Sequence, residues 1–187
     1  MKFTENITTS KEKNIEITYD VNSSGLLLSI SAESIDSDDS IPEMIIPAMH
    51  SGQKITSIGS NVLTGKLANI PINVLTITGG ITNFMQKAFY AAHITTVFLP
   101  NTIKNISHRC FENSDIKEVC NSCFIQNIHH SGFKNCRKLE SIVLQNCRSI
   151  GDSAFSNCIN LKSCSVPKLR MLGKSAFASC KRLECIN

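Results

Sequence analysis

The chain has 187 residues, enough for one domain with a continuous core, and 42% of them are hydrophobic, which excludes disorder of the whole chain. Its formal charge is +4, its cations are spread along the sequence, and it has no Trp and two Tyr, a pattern that argues against nucleic-acid binding. No apolar run approaches a membrane span, so no membrane insertion is expected, and no apolar h-region comes after Met1-Lys2-Phe3-Thr4-Glu5-Asn6, so cytoplasmic placement is the plain expectation.

Residues 1–40 read as a separate N-terminal region. Ile15-Glu16-Ile17-Thr18-Tyr19 alternates, Asn22-Ser23-Ser24-Gly25 is a turn signal, and Leu26-Leu27-Leu28-Ser29-Ile30 is a second strand candidate. The spacing predicts a β-hairpin that caps the first coil of a repeat. The polar stretch Ser34-Ile35-Asp36-Ser37-Asp38-Asp39-Ser40 holds three carboxylates but lacks the glycine and distal glutamate of an EF-hand, so a solvated loop is expected and no metal. The triplets Asn6-Ile7-Thr8, Asn22-Ser23-Ser24 and Asn105-Ile106-Ser107 fit the glycosylation acceptor pattern, which matters only for a secreted chain.

Residues 41–187 carry the repeat. A first coil is visible in Ile55-Thr56-Ser57-Ile58-Gly59-Ser60-Asn61-Val62-Leu63, and an insertion at Lys66 to Ile72 separates it from the rest. Phe89, Phe111, Phe133, Phe155 and Phe177 then stand at constant spacing, since 111−89, 133−111, 155−133 and 177−155 all equal 22. A fixed period of this length means stacked supersecondary units, hence a solenoid. Directly before each ring stands a small residue (Ala88, Cys110, Gly132, Ala154, Ala176), suited to close contact between coils. Three before it stands a polar one (Gln86, His108, His130, Asp152, Lys174), expected to face water. Further on, Leu139, Leu161 and Leu183, or Ile94 and Ile116, lead into an L-x-x-I-x-L pattern whose alternating end reads as a short strand with one buried face. Asn121 interrupts that alternation, which predicts a weaker strand in its coil.

The segment Ile150-Gly151-Asp152-Ser153-Ala154-Phe155-Ser156-Asn157-Cys158-Ile159-Asn160-Leu161 resembles the BspA-like (treponeme-type) leucine-rich repeats. The next unit, from Leu172 to Leu183, repeats the pattern, and Ile45-Ile46-Pro47 with Gly52 to Gly59 after it gives a degenerate version. The resemblance covers roughly residues 41 to 187. It implies an α/β-type solenoid of leucine-rich-repeat coils of about 22 residues, with a parallel β-sheet on the concave side and short helical or irregular convex segments. It also implies a surface or secreted adhesion protein, which disagrees with the absence of a leader-like segment.

Nine cysteines raise the question of metal or disulfides. Cys136, Cys158 and Cys180 form one repeat column, Cys110 belongs to the small-residue column, and Cys164 to a strand core position. Column cysteines one coil apart stand near the Cα separation of a disulfide, so a ladder remains open, although the odd total argues against complete pairing. Buried reduced thiols are the alternative. Cys120-Asn121-Ser122-Cys123, with His129 and His130 nearby, looks like a zinc half-site without the second pair such a site needs. No nucleophile elbow, phosphate-cradling glycine loop or HExxH stands in the chain, so neither catalysis nor a cofactor is expected.

These readings point to a non-enzymatic protein-binding module. The side chains expected to point off the concave sheet are Thr95, Thr96 and Phe98; Lys117, Glu118 and Cys120; Glu140, Ser141 and Val143; and Lys162, Ser163 and Ser165. Phe98 and Val143 are the apolar members. Either they are exposed contact anchors, or they pack under a loop or against a neighbouring coil. The rival expectation is an intracellular scaffold that self-associates through the end near Ile186-Asn187, where no cap is apparent.

Overall fold

The computed structural model describes residues 1–187. In chain order the strands are β1 (Lys2–Thr8), β2 (Asn14–Val21), β3 (Leu26–Ala32), β4 (Ile41–Ile46), β5 (Met49–His50), β6 (Gln53–Lys54), β7 (Ser57–Ile58) and β8 (Ile72–Ile77). From there each coil has two short strands: β9 (Asn83–Phe84) and β10 (Ile94–Phe98), β11 (Asn105–Ile106) and β12 (Glu118–Cys120), β13 (Asn127–Ile128) and β14 (Ser141–Val143), β15 (Ser149–Ile150) and β16 (Ser163–Ser165), and β17 (Met171–Leu172) and β18 (Cys185–Ile186).

The coils stack into a parallel β-solenoid of about six turns. The second strand of each coil builds one ladder, β4-β8-β10-β12 and then β14-β16-β18, and the first strand builds the other, β7-β9 and then β11-β13-β15-β17. Partners such as Val97↔Val119, Ile142↔Cys164 and Ile128↔Ile150 lie 22 positions apart, so the sequence period is the pairing register itself. The first ladder breaks between β12 and β14. Asn121 there adopts a left-handed conformation (φ 61°), and its amide donates to the Leu99 carbonyl at 3.2 Å instead of extending the strand. The interrupted alternation predicts a weaker strand in this coil; β12 is three residues long, as β14 and β16 are, and what is lost is its pairing onward to β14.

Of the helical or irregular convex segments that the resemblance implies, the structure shows the irregular form: the chain holds no α-helix, only the 3-10 turns Gly65–Asn69 and Ser122–Phe124. The physical reason lies in the turns around each phenylalanine. The residue two before it (Lys87, Arg109, Ser131, Ser153, Ser175) and the residue two after it (Ala91, Asn113, Asn135, Asn157, Ser179) all have positive φ between 54° and 64°. An α-helix cannot contain left-handed residues at such intervals. Backbone donors are satisfied in alternation instead. Ser131, Phe133 and Asn135 donate forward to Asp152, Ala154 and Ser156 of the next coil at 2.8–3.0 Å. Gly132, Lys134 and Cys136 donate three residues back along their own turn. Every amide in this stretch is paired without a helix, which meets the requirement on buried backbone polar groups.

A single core of 50 residues runs from Ile15 to Ala176. Its axis is the phenylalanine stack, with Phe89, Phe111, Phe133 and Phe155 fully buried and successive centroids 5.2–5.3 Å apart. The insertion at Lys66 to Ile72 folds largely as the first 3-10 turn and buries Leu67 and Ile70.

At the N terminus, β2 and β3 pair antiparallel, and β1 adds a third strand. The sequence singled out no strand there, since Phe3 and Ile7 are the only large apolar residues of β1 and both stay half-buried. In β2, Ile15, Ile17, Tyr19 and Val21 point inward, and the Tyr19 hydroxyl donates to the Ile45 carbonyl at 2.9 Å. Leu27 of β3 pairs parallel with Ile58, and Ile30 bridges Leu63, so the meander is hydrogen-bonded directly onto the first coil.

Candidate binding face

Near the middle of the second strand of each coil stands an inward residue (Leu75, Val97, Val119, Ile142, Cys164), flanked by two whose side chains turn away from the core. Parallel register lines these flanking residues into columns. Glu43, Val74, Thr96 and Glu118 form one, and Ile45, Thr76, Phe98 and Cys120 form its neighbour. Past the break, Ser141↔Ser163 and Val143↔Ser165 continue the pattern. A third column, Thr95, Lys117, Glu140 and Lys162, stands where the chain enters each strand, linked backbone to backbone from coil to coil.

The residues singled out from the sequence therefore lie together on one outward face. Thr95, Phe98, Lys117, Glu118, Glu140, Ser141, Val143 and Lys162 are exposed, and Thr96, Cys120, Ser163 and Ser165 are half-buried. Of the two placements open for the apolar members, the structure shows exposure: Phe98 at 39% and Val143 at 47%. Lys117 and Glu140 form an ion pair at 3.4 Å. Both partners are about half exposed, so such a pair contributes little stability. The Cys120 thiol is pushed up by partial burial and by the Glu118 carboxylate, which leaves it a poor nucleophile.

Sequence reasoning missed the continuation of this face onto β4 and β8. Ile45, 41% exposed, extends the apolar column beyond Phe98, with Thr76 between them. Two signals were available: Ile45-Ile46-Pro47 is a degenerate strand end, and Ile72-Asn73-Val74-Leu75-Thr76-Ile77 alternates like the later strands.

The thiols and imidazoles occupy other places. All nine cysteines are free. The Cys136, Cys158 and Cys180 thiols each donate to a phenylalanine carbonyl of the preceding coil, at 3.0–3.1 Å. Burial pushes the Cys136 thiol up to about 12 and raises Cys158 further still. Cys120 and Cys123 flank the strand break, whereas His129 and His130 gather with His108 on the other ladder, ring centroids 5.0 and 6.5 Å from His108. Burial and the neighbouring His108 hold the His129 imidazole below its ordinary value. No three His, Cys, Asp or Glu side chains converge as a metal set, and no helix is long and apolar enough to cross a membrane.

A family model described as the BspA type leucine-rich repeat region matches residues 56–184 in six copies. The chain belongs to this family. Solved structures similar to this BspA-type repeat chain show the same fold. A leucine-rich repeat protein from Bacteroides ovatus superposes with a TM-score of 0.71 at 20% identity, over 91% of this chain and 45% of that one. A leucine-rich cell surface protein from Faecalibacterium prausnitzii gives 0.61 at 17% identity, over 100% and 54%. A leucine-rich repeat protein of T. pallidum gives 0.58 at 18%, over 91% and 67%. The chain thus spans about half the length of the first and second of these structures. A search of curated proteins found no match.

Proposed function

We propose that this BspA-type repeat chain is a non-enzymatic protein-binding module that engages its partner across the outward face of the β4-to-β18 ladder, its concave side. The observation that supports this most is the set of exposed apolar residues Ile45, Phe98 and Val143, spaced along that face with Thr76 and Cys120 between them and set among hydroxyls and charged residues. Apolar anchors ringed by polar groups are what a protein interface requires. The N-terminal meander serves as a cap over the first coil, keeping the face rigid. Placement at the cell surface is drawn from the likeness to the F. prausnitzii cell surface protein, and a role in adhesion to host or neighbouring cells is what membership of the BspA-type family implies.

The test pairs surface biotinylation of intact source cells with recovery of cross-linked partners. Surface labelling, with partners lost when Phe98 and Val143 are both changed to Ser, supports the reading. Partners retained by that variant reject this face, and purely internal labelling rejects the adhesion role.

A further inference from the structure

The turn that leads from the first ladder back to the second has a composition unlike any other part of the surface. In six successive coils it comprises residues 53–57, 79–83, 101–105, 123–127, 145–149 and 167–171, aligned on the core column Ile55, Ile81, Ile103, Ile125, Cys147 and Leu169. These thirty positions hold no Asp and no Glu. They hold five cations: Lys54, Lys104, Arg148, Lys168 and Arg170. None of the five forms an ion pair, whereas on the opposite turn His93 and Lys138 both pair with Asp115, and on the ladder face Lys117 pairs with Glu140.

The cations are also placed in line. Backbone donors run from Arg170 to the Arg148 carbonyl, from Arg148 to Gln126 and from Gln126 to Lys104, so these four side chains form one column with a rise of about 4.8 Å per coil. Arg148 and Arg170 are exposed and have no side-chain hydrogen-bond partner. Lys168 donates only to the Asn146 amide, at 2.8 Å. Lys104 donates to the Asn101 carbonyl at 2.6 Å and lies 5.2 Å over the exposed Phe124 ring. Between the cations stand amides and hydroxyls, Asn101, Asn105, Asn127 and Gln145 among them.

We propose that this acid-free edge is a second binding surface, separate from the ladder face, for an anionic polysaccharide. Guanidinium and ammonium groups take its sulfates or carboxylates, amides take its hydroxyls, and Phe124 offers one apolar plane to a sugar ring. The scarcity of aromatic platforms favours this polyanion over nucleic acid: a nucleic-acid strand is gripped by stacking its bases on successive rings, whereas this edge exposes the single ring of Phe124 among amides and hydroxyls. An edge without carboxylates also lacks the like-charge repulsion that would push such a polymer away.

The test measures binding of the full chain to immobilised heparin, hyaluronan, dextran and single-stranded poly-dT at low and near-physiological salt. The expected result is retention on heparin or hyaluronan but not dextran, weakening as salt rises. The variant Arg148→Gln/Lys168→Gln/Arg170→Gln should bind about tenfold more weakly. The equally charge-reduced Lys134→Gln/Arg137→Gln/Lys138→Gln, on the other turn, should bind as the parent does. Gln126→Glu, which adds one carboxylate inside the column and removes no cation, should also weaken binding. Arg148→Lys/Arg170→Lys should keep most of it. Heparin answering without hyaluronan assigns the edge to sulfated chains, and the converse assigns it to uronates. Failure to bind either glycan, equal loss in both triple variants, or tighter binding of poly-dT through the same residues would overturn the proposal.

Discussion

Phe133 and Phe155 lie face to face with ring centroids 5.3 Å apart and only 5° between their planes. Stacking this parallel results from two coils of equal length superposed in register, and it repeats along the core from Phe89 to Phe177. Each interior ring is desolvated on both faces, so each contributes a large buried apolar surface to its coil.

Phe155→Ala should therefore destabilise the chain by about 3–5 kcal/mol, read from urea unfolding. Phe177→Ala should cost less, because Phe177 is only partly buried and stacks on one neighbour. A loss at Phe155 below about 1 kcal/mol would show that the ring is not core.

Asn135 has φ 60°, donates its amide to Asn113 at 2.7 Å and accepts from Asn157 at 2.9 Å. Asn135→Ala removes both bonds and forces a Cβ residue with no compensating polar group into the left-handed region, for a loss of about 1–3 kcal/mol. Asn135→Gly keeps the conformation and loses only the ladder, so it should be the milder change. Equal losses in thermal unfolding would leave the backbone argument without support.

The column thiols should be inert. Thiol-reactive dye at neutral pH should label exposed Cys185 while Cys136 and Cys158 react only on unfolding. Alkali should act through the same groups. Burial raises the folded thiols above their ordinary value near 9, Cys136 and Cys164 to about 12. Below about 9 both states keep the proton and stability is unaffected; above it the unfolded chain loses protons that the folded chain retains. Stability should fall as pH rises from about 9 toward 12, and a Cys136→Ala/Cys164→Ala variant should show a shallower fall. An unchanged slope would assign the alkaline loss to other groups.

Phe98 offers the contrast with Phe155. At 39% exposure, its replacement by Ser should change stability by about 1 kcal/mol or less while reducing partner capture. A large stability loss would mean that Phe98 belongs to the core and not to the binding face.

The coil length, the buried columns and the outward face were legible because one residue spacing governs all three. The period places Phe98 and Val143 on the same side as Lys117 and Glu140 whatever the turns do. The degenerate early coils were harder. Ile30 and Leu63 stand in the ring position without an aromatic, so the coil contributed by β3 and the exposed Ile45 were not evident. Which of the helical and irregular forms the convex segments take was hidden for a related reason. Ser131, Ser153 and Lys87 carry no composition signal for positive φ, and that conformation arises only because the next coil offers carbonyls at the matching height.

By itself, then, the sequence determined the repeat, its phenylalanine axis and its membership among stacked coils, since periodic burial is written in residue type and spacing. Only the tertiary structure decided how the turns run and which surfaces form. Left-handed turns depend on hydrogen bonds between coils. The acid-free edge depends on residues 22 or more positions apart coming within one coil rise of each other, a proximity that no local stretch of chain contains.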